Sequence, residues 1–208
     1  MKIIRYTLLA DGSSDMALIP IINWLITQHF PDCRFQYQTV RDLGKVGSIL
    51  SKRISAALIL FPCEILFVHR DAENQPLAFR REEIMAAANK IKEACVPIVP
   101  VRMTEAWLLS DEAAIRAAAN NRNGRQPLDL PKKNKWESLI DAKQTLFDAL
   151  ASASGKSGRA LLKFHPDKHR HRITELTEDF SSLRGIPSFD AFEESLIVQF
   201  QKVNHALD

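Results

Sequence analysis

Cysteine is scarce and poorly placed for pairing. Cys33, Cys63 and Cys95 are odd in number, widely spaced and form no Cys-x-x-Cys. That excludes a disulfide framework and a cysteine zinc site, and leaves reduced thiols serving as small core residues of a cytoplasmic protein. No apolar run approaches the roughly 18 residues of a membrane span. The opening residues, Met1-Lys-Ile-Ile-Arg-Tyr-Thr-Leu-Leu, lack a signal-peptide h-region and cleavage site. A cytoplasmic protein without membrane contact is therefore expected. No Gly-x-Gly-x-x-Gly follows any strand, which argues against a dinucleotide-binding module. Internal repeats are also absent. With 46% apolar and 25% charged residues, a chain of 208 residues suffices for one α/β core with a helical extension.

What is present centres on Glu64-Ile-Leu-Phe-Val-His-Arg-Asp71-Ala-Glu73. An unbroken apolar run, Ile65 to Val68, suits a strand buried on both faces of a helix-covered parallel sheet. Asp71 and Glu73 then fall at its carboxyl end, where open α/β sheets bind ligands. Carboxylates at i and i+2 on a backbone that is still extended point to the same side. Such a pair suits a hard divalent cation, Mg²⁺ or Mn²⁺; solvated acids at a strand end are the plainer reading.

Around that stretch, strands and helices alternate. Residues 3–10 read as a first strand, ending at Asp11-Gly12-Ser13-Ser14-Asp15, where either serine can N-cap the next helix. That helix ends near Phe30 and holds Pro20, which either kinks it or marks its first turn. Residues 35–40 predict a second strand, and Ser48 opens a second helix. After the central strand, a helix is predicted over 80–94 and a short strand over 97–102. A further helix is capped by Thr104 and runs to Ala119, broken near Asp111. Beyond a polar connection (120–135), only helical periodicity is found, at 136–151, 157–164, 170–183 and 189–204. The expected fold is α/β: a Rossmann-like core of about four parallel strands over residues 1–120, then a basic connection and helical region over 121–208 packed on it.

If the first and central strands are neighbours, Asp11, Asp15, Asp71 and Glu73 converge, and a metal would hold them ionised. An acid-Gly-x-x-Asp turn after strand one, followed by an apolar strand ending in acid-x-acid, resembles the TOPRIM domain of primases, topoisomerases, recombination proteins and old-type nucleases. Glu105-Ala-Trp107-Leu-Leu and Pro187-Ser188-Phe189-Asp190-Ala-Phe192 resemble segments of a family of small bacterial TOPRIM-like proteins of unknown function, often associated with mobile or phage-defence loci. The resemblance implies Mg²⁺ at the acids and cutting, joining or extension of a phosphodiester backbone. Asp71 and Glu73 would then hold the metal. Asp11 would be a third ligand or the general acid/base, and Asp15 and Glu105 would support them. Two departures stand out: Asp11 replaces the family's Glu, and Glu73 its second Asp. They leave open a non-catalytic role, with the fold docking on a partner such as an ATPase.

Glu105 also suits the first turn of a helix. His69, on the face of Asp71, either orients a carboxylate or touches phosphate, or is a satisfied structural histidine. Gly155-Lys156-Ser157 is no phosphate loop, because Leu150 stands where glycine is required. His165, His169 and His171 could bind a transition metal at i and i+4 spacing, but helix-breaking Pro166 and the cations around them make a basic, phosphate-facing patch the better reading. Charge is uneven: residues 121–172 hold 12 Lys/Arg against 5 Asp/Glu, and 173–208 hold 2 against 7. The basic stretch, with Lys163, Lys168, Arg170 and Arg172, is the candidate nucleic-acid surface, joined by Lys45 in its glycine-flanked turn; a solvated helical surface is the alternative.

Overall fold

Apolar residues in short alternating or unbroken runs fix the strands first. The computed structural model describes residues 3–40 and 42–207, apart from the side chains of Ser13, Ser14, Ala206 and Leu207. The first half runs β1 (Ile3–Leu9), a 3₁₀ turn (Ser13–Ala17), α1 (Leu18–His29), β2 (Arg34–Thr39), α2 (Leu50–Leu60), β3 (Ile65–His69), α3 (Leu77–Ala87) and β4 (Ala94–Ile98). The four strands pair in parallel in the order β2-β1-β3-β4. The chain moves outward from β1 to β2, then crosses back to the other side of β1.

Side-chain alternation divides the core in two. Ile4, Tyr6, Leu8, Ile65, Phe67, Val96 and Ile98 face α1 and the C-terminal helices. Leu9, Leu66, Val68 and Cys95 face α2 and α3, meeting Ile54, Ala57 and Ile84. All five β3 residues are buried, as the unbroken apolar run requires. Cys63 and Cys95 are buried free thiols, and burial pushes the Cys95 thiol up to about 12, so neither is a ready nucleophile.

The second half adds α4 (Glu105–Leu108), α5 (Glu112–Ala118), α6 (Ala142–Ala153), α7 (Gly158–Leu162), α8 (Arg170–Leu176) and α9 (Pro187–Leu207). Residues on both sides of position 120 share one apolar cluster. The Phe67 and Phe192 rings lie 6.2 Å apart, and Trp107 stacks on Phe192 at 6.1 Å and meets Phe189 edge-on at 5.4 Å. The Trp107 indole N–H donates to Ser188 Oγ at 3.2 Å. No described helix is long and apolar enough to cross a membrane.

Several boundaries depart from the sequence reading. Pro20 lies in the first turn of α1, where its missing N–H costs nothing. Gly12 precedes the 3₁₀ turn as its cap, in place of a serine. Ile49 precedes α2, which starts two residues after Ser48. Helix α3 follows Pro76 and ends at Ala87, and Ala94 opens β4 where helix was expected. Here packing overrides propensity: Cys95 fills one sheet face while Val96 and Ile98 fill the other. Pro97 is tolerated because β4 is an edge strand. The break near Asp111 is real, since its carboxylate accepts from the Ala114 N–H at 2.9 Å and caps α5. Asp141 caps α6 in the same way, moving that helix start from 136 to 142. The 170–183 periodicity resolves into α8 and a separate 3₁₀ turn, Ser181–Leu183.

Candidate functional site

Strand order reverses between β1 and β3, and the crevice beyond the carboxyl ends at such a switch point is where open α/β sheets take ligands. Leu9 pairs with Val68, so the turns that follow the two strands emerge side by side. Between them opens a cleft of about 340 Å³ lined by Asp11, Gly12, Asp15, His69, Asp71 and Glu73, with Arg70 at its wall. The four acids nearest the two strand ends thus share one cleft.

Asp15 enters it through a local device. Its Oδ2 accepts from the Gly12 N–H at 2.9 Å, so the carboxylate folds back onto the turn that carries Asp11. His69, the last residue of β3 and only 3% exposed, stands between two acids. Its Nδ1 is 3.3 Å from Asp15 Oδ2 and its Nε2 is 3.3 Å from Asp71 Oδ1. Burial disfavours the charged imidazolium, but hydrogen bonding and attraction from Asp15 and Asp71 outweigh it, raising the pKa to about 9. That shift favours the imidazolium, which stands between Asp15 and Asp71, although among the described residues no hydrogen bond reaches its Nδ1.

Thr104 completes the Asp71 side. Its backbone N–H donates to Asp71 Oδ1 at 3.0 Å, and its hydroxyl lies 3.1 Å from His69 Nε2 and 3.4 Å from Asp71 Oδ1. The sequence suggests Thr104 as a helix cap, yet its side chain makes no cap bond. It is carried to the cleft because β3–β4 contact continues past both strands: Ala72 N–H donates to Pro100 at 2.9 Å and Glu73 N–H to Arg102 at 3.1 Å. No local motif announces such a contact; only strand adjacency does.

Each remaining acid has a cationic neighbour. Asp11 pairs with Arg53 of α2, which also donates to the Ala10 carbonyl at 3.1 Å. Glu73 adopts a left-handed backbone (φ 53°), so the extended alternation that would align it with Asp71 has ended. Its side chain, 71% exposed, meets Arg80 at 3.1 Å. Glu105 lies outside the cleft, buried at the start of α4 and paired with Arg170 at 2.7 Å. Arg170 is thereby committed to the interior, and Arg172 donates to Asn120 Oδ1 at 2.7 Å. Lys45, Lys163 and Lys168 are exposed.

Among the described residues, no three His, Cys, Asp or Glu side chains are placed to hold a metal ion. A closed cage is not what the donors offer. Arg53 takes Asp11 Oδ1, while His69 and Thr104 take Asp71 Oδ1. Among the described residues, the bonds of these two acids fall on Oδ1. Two carboxylates with an oxygen to spare suit a hard divalent ion that keeps most of its water, as Mg²⁺ does. They do not suit a softer metal that needs nitrogen or sulfur.

No family model, no curated protein and no solved structure matches this chain.

Proposed function

We propose that this protein is a Mg²⁺- or Mn²⁺-dependent phosphodiesterase of TOPRIM type acting on nucleic acid. The observation that carries this reading is the β1–β3 pairing, which sets Asp11 and Asp71 on one cleft at the switch point of the sheet. Asp11 and Asp71 would hold the ion, with exposed Glu73 able to swing toward it. A bound ion polarises a phosphoryl oxygen and lowers the pKa of a water. His69 and Thr104 fix Asp71 through Oδ1 and leave its other oxygen unengaged. Asp11, held by Arg53, is the second carboxylate for the ion. Lys45, Lys163 and Lys168 supply positive charge for the substrate backbone. The resemblance of the acid motifs to the TOPRIM domain is a second support.

The test is nicking of supercoiled plasmid and of single-stranded circular DNA with Mg²⁺ or Mn²⁺. Asp71→Ala, with an unchanged circular dichroism spectrum, is expected to lose about 10²–10⁴-fold in rate. Equal rates for wild type and variant would overturn the assignment. One observation favours a second reading, a non-catalytic subunit that docks on a partner such as an ATPase: Arg53, Arg80 and the His69 imidazolium already counter the charge in the cleft. Calorimetric titration separates the two, because the absence of binding at millimolar Mg²⁺ and Mn²⁺ selects the docking role.

A further inference from the structure

Beside the acid cleft lies a second cavity of about 640 Å³, bounded by the ends of β1 and β2 and by the loop over residues 42–47. Its volume falls within the roughly 300–1,000 Å³ typical of small-molecule sites. The two cavities share Asp11 and Gly12 as a common wall. Arg53 stands at that boundary, its side chain only 21% exposed, fixed by Asp11 and by the Ala10 carbonyl. Leu8, Met16, Val40, Leu43 and Val46 make the interior apolar, and Thr39 and Asp42 add polar groups.

The loop that closes the cavity is shaped by local bonds. Asp42 Oδ1 accepts from the Gly44 N–H at 2.8 Å, and the Gly44 carbonyl accepts from the Val46 N–H at 3.0 Å. Gly44 and Gly47 both have positive φ, 65° and 75°, which lets the loop fold over the end of β1. Exposed Lys45 lies between them.

We propose that this cavity seats an unstacked nucleobase next to the phosphodiester held at Asp11 and Asp71, so that the substrate is single-stranded nucleic acid or a frayed end. This rests on the phosphodiesterase reading, which places a phosphate in the adjoining cleft. A phosphodiester in nucleic acid carries a nucleoside on either side, and this cavity adjoins the cleft along Asp11 and Gly12. A base has apolar faces and hydrogen-bonding edges, which suits apolar walls with a few polar groups. A base stacked within a duplex cannot enter without leaving its stack, an energetic cost that a single strand largely avoids. Lys45 at the rim would meet the phosphate beyond the seated base.

The experiment measures binding of a labelled short single strand and its duplex by fluorescence anisotropy in EDTA, so that neither metal nor cleavage enters. Wild type is expected to bind the single strand at least about tenfold more tightly, in line with the worth of one base contact. Val46→Trp, which fills the cavity, is expected to remove that preference. Leu43→Trp serves as a second filling variant should the first fail to fold. Equal binding of strand and duplex by wild type, or an unchanged preference in a folded filling variant, would overturn the proposal. Nicking activity reports separately. Cleavage without strand preference leaves the phosphodiesterase reading standing and sinks this one; strand preference without cleavage overturns the phosphodiesterase reading, and with it the phosphate that this proposal sets beside the base.

Discussion

His69 is the residue on which the charge balance of the cleft turns. Remove its proton, and Asp15 and Asp71 face a neutral ring in a buried setting. A histidine whose folded pKa is raised stabilises the fold fully below its unfolded pKa of 6.5, and that contribution is lost as pH rises through its folded value of about 9. At about 1.36 kcal/mol per pH unit, the contribution is on the order of 3 kcal/mol. In chelator-containing buffer, the urea midpoint is therefore expected to hold to about pH 6.5 and then decline toward pH 9. His69→Gln is expected to be less stable at pH 6 and to lack that decline. A wild-type midpoint that does not change across this range would show that His69 is not charged in the folded protein.

At the scale of elements, α9 is the keystone. Phe189, Phe192, Leu196 and Phe200 recur at spacings of three and four, and all are buried, forming one apolar stripe. The stripe covers the sheet face that carries Phe67. Phe192→Ala is expected to cost about 3–5 kcal/mol, read as a lowered denaturation midpoint with an unchanged slope. The strands β1, β2 and β3 were legible because their runs alternate or are uniformly apolar. β4 was misplaced because the Lys- and Ala-rich residues before it read as helix, and only burial on both sheet faces makes Ala94 to Ile98 a strand. The same contrast holds in the cleft. Asp11 and Asp71 could be read from their positions after apolar runs. The arginines that pair with Asp11 and Glu105 could not, since Arg53 and Arg170 lie far off in sequence and no local pattern marks an ion pair. The Glu-Ala-Trp and Pro-Ser-Phe segments, singled out as a resemblance, prove to be packing partners through Trp107, Ser188, Phe189 and Phe192.

At the scale of the whole molecule, the positive charge of residues 121–172 lies at the surface, with Arg170 alone drawn inward. Arg170 is sequestered by Glu105, whose side chain is only 10% exposed, and Arg172 is held by Asn120. Lys163 and Lys168 remain at the surface. The two groups should respond differently. The double change Lys163→Glu with Lys168→Glu is expected to weaken oligonucleotide binding and to reduce the slope of log affinity against log salt by about 2, leaving thermal stability nearly unchanged. Arg170→Ala is expected to cost about 3–5 kcal/mol of stability, because it strands a buried carboxylate. A salt slope that is the same in the double variant would place the nucleic-acid surface elsewhere.

The long closing helix also bears on how the protein is made. The inner face of the sheet is assembled from strands synthesised early, yet Phe200, which stacks on Phe30 at 4.5 Å, is translated some 100 residues after the last of them. Until that phenylalanine clears the ribosome, Phe67 and Ile98 lack part of their apolar cover, whereas Tyr6 already has α1, where Asn23 Oδ1 accepts from its hydroxyl at 2.6 Å. The nascent chain therefore carries a half-covered sheet face until α9 is made, and the β1–β3 pairing that sets Asp11 beside Asp71 gains its full packing only then.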